Sequence, residues 1–540
     1  MDKKALVAVV LSALILMGYQ YFIAVNYNHE AADVVRNAEK KEAITTMIPP
    51  ERPQPLGAAG DPGDEGDLEA FVKKGVEAEE IVFWGDKYIA TVSNIGGYIK
   101  SVFLNGYPDP KTGEPYALME AERGGEGIFL ITRIGGDEIQ PIPYDVVTRE
   151  EPLLLKGIAG NAISVTKKYI FSDDAYHVTM ELGLENESER TIDTYYEIVA
   201  SSNIKADNKL DRRYINIVAK AGEDIRRENG KKGEGVYREG DIEYIGLQNK
   251  YFSLLCKPGA KTTGARLLRT ENDEPLAKIR TSRFTIGPGE KVQHTYLLYL
   301  GPNKEDVLKN YNLSGALNRG FLGGISNALL AGLKFFHKIT RNYGISIVLL
   351  AILVNLLLFP LSRKSYSSMK KMQDLQPHIE ELRNTHKDNP QKLNKEMMDL
   401  YKRFNVNPLG GCFPLLLQIP VFIALWQALM RSLELRGARF LWIKDLSMPD
   451  AVPLPFTAPL IGNSLNILPI LMAICTLLQQ RVMAQRNKAQ SEQARQQQQI
   501  MFIMPVVFLF IMYNFPSGLV LYWLTNTLLT MFEQRAIMQR

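Results

Sequence analysis

Five apolar runs, near residues 343–361, 412–430, 464–480, 500–514 and 517–532, constrain this chain more than any other feature. Inside a bilayer every backbone N–H and C=O must be satisfied within the protein, so a spanning segment is a helix or part of a closed barrel. The runs are continuously apolar, not alternating, and their lengths suit helices. A further run, "ALVAVVLSALILMGYQYFIAV" from Ala5 to Val25, is uncharged and follows Lys3 and Lys4. That charge predicts a cytoplasmic N-terminus. A cleavable signal peptide is the rival reading, but "YQYFIAVNYNHE" holds only a poor cleavage site, so an uncleaved anchor over residues 1–25 is expected. The total is six spans. The loop from Leu361 to Gly411 carries ten Lys or Arg, and "RVMAQRNKAQSEQARQQQQ" has four basic residues against one acidic, so both are expected in the cytoplasm. The outer loop with Arg431, Arg436, Arg439 and Lys444 also carries Glu434, Asp445 and Asp450.

The rest of the chain divides by texture. Residues 26–77 are polar, with "IPPERPQPLGAAGDPGDEGDLEA" rich in proline, glycine and acid, and read as a flexible linker. Residues 78–310 hold short β-type runs such as "AISVTKKYIFS", "YHVTMELGLE" and "VQHTYLLYLG", which predict a large antiparallel β-sandwich outside the membrane. Residues 311–341 contain a helical stripe of Phe321, Ile325, Leu329, Leu333 and Phe336. It is expected to lie in the membrane interface, the alternative being a helix packed on the soluble domain. The core of five spans occupies 342–540. Within it, 362–410 reads as a charged helical hairpin, with Asn389 and Pro390 suited to the N-cap and first turn of its second helix.

No catalytic signature emerges, and no enzyme activity, cofactor or metal is expected. The six histidines show no HExxH pairing, and "GKKGEG" at 230–235 lacks phosphate-loop spacing. Cys256, Cys412 and Cys475 are far apart and read as free thiols. A net charge of +4, from 63 basic and 59 acidic residues, is nearly balanced, so no specific nucleic-acid partner is expected. The span interiors lack ionisable residues, which argues against a coupled transporter. They carry instead Asn355, Gln418, Gln427, Asn466, Thr476, Gln479, Asn514, Thr525, Asn526 and Thr527. Each can hydrogen-bond a neighbouring helix, or together they can line one wetted cavity.

Three blocks carry a family resemblance: "FPLSRKSYSSMKKMQDLQPHIEELR" at 359–383, "NPLGGCFPLLLQIPVFIALWQAL" at 407–429 and "FPSGLVLYW" at 515–523. With the anchor, large outer domain and five-span core, the chain closely resembles the YidC membrane protein insertases of Gram-negative bacteria. The resemblance implies an inner-membrane insertase and chaperone for nascent membrane proteins, with its β domain in the periplasm. It would work alone or with the Sec translocon, through a polar groove open to the lipid bilayer. A small-solute channel and an envelope-assembly anchor are the alternatives. Groove positions transfer to Gln418, Ile419, Phe422, Tyr522 and Trp523. The family typically has arginine five residues before the "FPL" block, where this chain has Asn355; Arg363 is the next cation, expected at the cytoplasmic mouth. The sequence ends at Arg540, so ribosome and signal-recognition contacts are expected on the hairpin and on 481–499.

Overall fold

The computed structural model describes residues 78–484 and 503–539, apart from 110–111, 122–125, 161, 207–208, 229–230, 233–234, 271–272, 318–319, 321, 387–388, 405, 407–412 and 459–461. The anchor and linker expected over 1–77, Cys412 and most of the loop 481–499 lie outside these residues. The described residues form two compact units, divided after Asn318.

The first unit is built from period-two strands. In Ile163–Phe171 and Tyr88–Ser93 burial alternates along the chain, so one face of each enters the core. The larger sheet has nine strands in the order Asp224–Glu228, Asn216–Ala221, Ile242–Gln248, Phe252–Pro258, Lys291–Pro302, His177–Asn186, Ile163–Phe171, Leu153–Ala159 and Tyr144–Thr148. Its neighbours pair antiparallel throughout. A seven-stranded sheet contains Tyr196–Ser202, buried along its whole length. Leu247 N donates to Ser201 Oγ (3.3 Å), tying the sheets together. Lys167 is fully buried in this unit. Its Nζ donates to the carbonyls of Gly96 (2.8 Å), Gly97 (2.9 Å) and Phe129 (2.7 Å). Three acceptors use all three N–H donors of an ammonium, while burial pulls its pKa well below the usual lysine value. Cys256 is a free thiol in the same unit, and burial raises its pKa.

The domain continues beyond residue 310. Leu308, Leu313 and Ala316 pack on Val218, Tyr244, Leu255 and Tyr299, and Arg227 Nη2 donates to Gly315 O and Ala316 O, both at 3.0 Å. Apolar cover thus holds 311–317 on the sheet, and the helix expected in this region runs from Gly323 to Thr340.

The second unit is helical: α1 Gly323–Thr340, α2 Tyr343–Asp374, α3 Gln376–Thr385, α4 Pro390–Arg403, α5 Phe413–Met430, α6 Ile467–Ala484, α7 Ile503–Met512 and α8 Ser517–Gln539. Among the described residues one stretch, Tyr343–Met372 in α2, is by itself long and apolar enough to cross a membrane; Gln418–Met430, Ile467–Arg481 and Ile503–Met512 are shorter apolar helices. The bundle core joins Leu333, Leu350, Ala351, Leu425, Leu429, Met472, Val520 and Tyr522 from α1, α2, α5, α6 and α8. Arg341 takes the left-handed conformation that ends α1, and Asn342 Oδ1 accepts from Ile345 N (3.1 Å), starting α2. The hairpin forms as α3 and α4, with Asn389 Oδ1 accepting from Lys392 N (3.0 Å). Leu375, Ile379 and Val406 pack with Met372, Met397, Leu400 and Tyr401 to close it.

The segment 431–466 caps one end of this bundle. Asp450 Oδ2 accepts from Ile467 N (2.8 Å) and Leu468 N (2.9 Å), satisfying free donors at the start of α6. Ser517 N and Gly518 N donate to Met448 O (2.8 Å) and Leu446 O (2.9 Å), doing the same for α8.

Candidate functional site

Neutral polar side chains meet inside this bundle along one face of α8. Tyr522, Asn526, Thr530 and Gln534 recur every fourth residue, so they stack on one helical stripe. At 1.5 Å per residue the stripe runs for about 18 Å, more than half of a hydrocarbon core of about 30 Å.

Three helices supply partners. From α2, Asn355 Nδ2 donates to Asn526 Oδ1 (2.8 Å) and to its own helix at Ala351 O (2.9 Å). From α6, Gln479 Nε2 donates to Thr530 Oγ1 (3.1 Å) and Gln534 Oε1 (3.2 Å). Gln534 Nε2 then reaches Tyr366 Oη on α2 (3.4 Å). From α5, Gln418 lies beside Tyr522. Gln418 Nε2 and Tyr522 Oη are both shut off from solvent and are paired only loosely with each other, without a well-formed hydrogen bond. The seam is therefore closed by good hydrogen bonds along most of its length and weakly paired at one point.

Beside that point lies an aromatic wall. Phe422 meets Trp523 edge to face (4.7 Å between ring centroids, 89° between planes), and Phe508 packs on the same indole at 4.7 Å. Ile419 faces outward, 46% exposed. A loosely paired polar couple and a partly exposed apolar surface thus adjoin on α5 and α8.

The residues singled out in the sequence separate here. Gln418, Tyr522, Phe422 and Trp523 come together. Asn355 sits in the seam with its amide committed to Asn526. Arg363 is exposed on α2, two turns beyond Asn355. Thr476, Thr525 and Thr527 return their hydroxyls to Met472 O, Leu521 O and Trp523 O on their own helices. Asn466 belongs to the cap, donating to Tyr513 O (2.7 Å). Tyr366, Thr530 and Gln534 escaped sequence reasoning, since two lie in polar or charged surroundings at span ends. The fourfold spacing from Tyr522 is the signal that could have found them.

Similarity to known proteins covers both units. The family described as "60Kd inner membrane protein" matches residues 335–540, and the one described as "YidC periplasmic domain" matches residues 80–331. A membrane protein insertase YidC of Geobacter metallireducens is 32% identical over 99% of this chain and 98% of its own length. One from Syntrophus aciditrophicus is 32% identical over 99% of both chains. A crystal structure of an active YidC insertase with its first transmembrane domain resolved is 19% identical, covering 87% of this chain and 97% of that one, with a TM-score of 0.36. On sequence matched over nearly its whole length, the chain belongs to the YidC family of membrane protein insertases.

Proposed function

We propose that the protein inserts and helps fold inner-membrane proteins by letting the polar part of a client cross beside the α8 seam while its apolar part leaves along α5. One observation carries this reading: Gln418 Nε2 and Tyr522 Oη are buried side by side, only loosely paired with each other and without a well-formed hydrogen bond. A buried polar group left unsatisfied costs about 1–3 kcal/mol. Such a cost is retained where water or a client's backbone supplies the missing bond.

The energetics follow from the bilayer. A charged or strongly polar residue at its centre costs about 2.5–3.5 kcal/mol on insertion scales, so a wetted polar site part-way across shortens the dry path. The client's apolar segment then slides over Ile419, Phe422 and Trp523 into lipid, driven by its own burial. No chemical energy source enters this scheme.

In the same reading the chain spans the inner membrane six times with its N-terminus in the cytoplasm and the β domain in the periplasm. The α3–α4 hairpin receives clients from the ribosome or the signal-recognition pathway, and larger clients are shared with the Sec translocon. A reporter fused after Lys392 is expected to read cytoplasmic and one after Gly240 periplasmic.

The test is depletion in the native host, followed by protease accessibility of a small two-span client. The client is expected to stay unprotected until the gene is restored. Normal insertion of every client during depletion overturns the proposal.

A further inference from the structure

Between α5 and α6 the chain makes a tight turn whose residues conflict with its geometry. Phe440 N donates to Ile443 O (3.0 Å) and Ile443 N to Phe440 O (2.8 Å), leaving only Leu441 and Trp442 at the tip. Two-residue hairpin turns need positive φ and are ordinarily filled by Asn, Asp or Gly. Leu441 holds φ at 51°. Its side chain is 75% exposed and that of Trp442 41%. A left-handed conformation is unfavourable for a bulky residue, and a leucine left in water forgoes the gain of burial.

The turn is nonetheless held firmly. Phe440 is seated on Gly344 at the start of α2, where a Cβ would lie 2.1 Å from the ring. Ile443 is buried. Trp442 Nε1 donates to Asp450 Oδ2 (3.1 Å), the same oxygen that caps α6. Arg439 and Lys444, both exposed, stand at the base of the tip. Two apolar side chains are thus presented outward by a rigid mount with cations behind them.

We propose that Leu441 and Trp442 form a fingertip that enters the lipid leaflet at the end of the bundle where α2 and α6 begin, with Arg439 and Lys444 at the level of the lipid phosphates. Lipid is the occupant that fits. An indole with basic neighbours is the composition of membrane interfaces. The apolar surface is also continuous with a span, since Ile345, next to the Gly344 that Phe440 covers, is 43% exposed. Entry into lipid offsets both the exposed leucine and the strained backbone, and it fixes how deeply this end of the bundle sits. The inference rests on reading α2 as membrane-spanning.

The test uses the full chain in phosphatidylethanolamine and phosphatidylglycerol vesicles, with Cys412→Ser and Cys475→Ser as background and Cys256 left buried. Spin labels are placed through Leu441→Cys, Leu356→Cys on the outward face of α2, and Lys156→Cys in the β domain. Collision with oxygen is compared with collision with a water-soluble nickel chelate. The oxygen-to-nickel ratio is expected to be several-fold higher at 441 and 356 than at 156. A ratio at 441 equal to that at 156, with 356 still lipid-like, overturns the fingertip and leaves the bundle reading standing; water-like ratios at both overturn the two together. A label-free check is the Trp442 fluorescence, taken as wild type minus Trp442→Phe. It is expected to be quenched by lipid brominated near the glycerol end, and an unquenched signal overturns the proposal.

Discussion

Asn355 of α2 and Asn526 of α8 clasp each other through a 2.8 Å amide–amide hydrogen bond inside the helical unit. Asn355 also holds Ala351 O on its own helix and is only 9% exposed. Where the YidC family is expected to place a cation, this chain has a neutral clasp that binds two helices. Buried polar atoms without a well-formed bond lie elsewhere in the bundle, at Gln418 and Tyr522 and also at Trp426 Nε1, Gln427 Oε1 and Gln480 Oε1.

The clasp predicts the response of position 355. Asn355→Leu leaves Asn526 Oδ1 buried without its donor and is expected to cost about 1 kcal/mol. In a double-mutant cycle with Asn526→Leu, the two losses should fall short of additive, as read from thermal unfolding in detergent. Asn355→Arg must break the same bond and also bury a guanidinium, so its loss should exceed that of the leucine variant. A residue that merely lined water would tolerate arginine.

Tyr522→Phe separates stability from function. Its hydroxyl has only a loose contact with Gln418, so its removal is expected to change the unfolding temperature little. Client insertion, scored by protease protection, is expected to fall several-fold because the seam loses a site for water. Full activity in a variant of unchanged stability would show the hydroxyl to be idle.

Lys167 predicts a fragile point in the β domain. Lys167→Met keeps the apolar stem but takes the donor from the carbonyls of Gly96 and Phe129, while Gly97 O keeps Tyr169 Oη at 2.6 Å. A loss of roughly 2–3 kcal/mol is expected, near the upper end for orphaned buried groups. Proteolytic susceptibility of the domain in the intact protein reads it directly.

Two histidines give the β domain a pH dependence of fixed sign. Burial lowers the pKa of His177 and of His294, whose Nδ1 lies 2.8 Å from Tyr196 Oη. As pH falls through about 6.5 the unfolded chain takes up protons that the folded domain does not, so stability present above that pH is lost below it. The unfolding temperature should be lower at pH 5.5 than at pH 7.5, and the double variant His177→Asn/His294→Asn should narrow the gap.

Local pattern and medium made much of this protein legible without coordinates. Period-two runs such as Ile163–Phe171 can bury one face only as strands, and uncharged runs such as that beginning at Tyr343 are stable in hydrocarbon only as helices. Asn389 and Pro390 marked the start of α4 because capping is settled within one turn. The motif blocks named the family for the same reason, being contiguous in the chain. Which amide faces which is not local. Asn355 meets Asn526 across 171 positions of sequence, Gln479 meets Thr530 and Gln534, and Gln418 is only loosely paired with Tyr522. An isolated amide in a helix is equally suited to water, to a neighbour or to its own backbone, and only the packing angles of α2, α5, α6 and α8 choose among them.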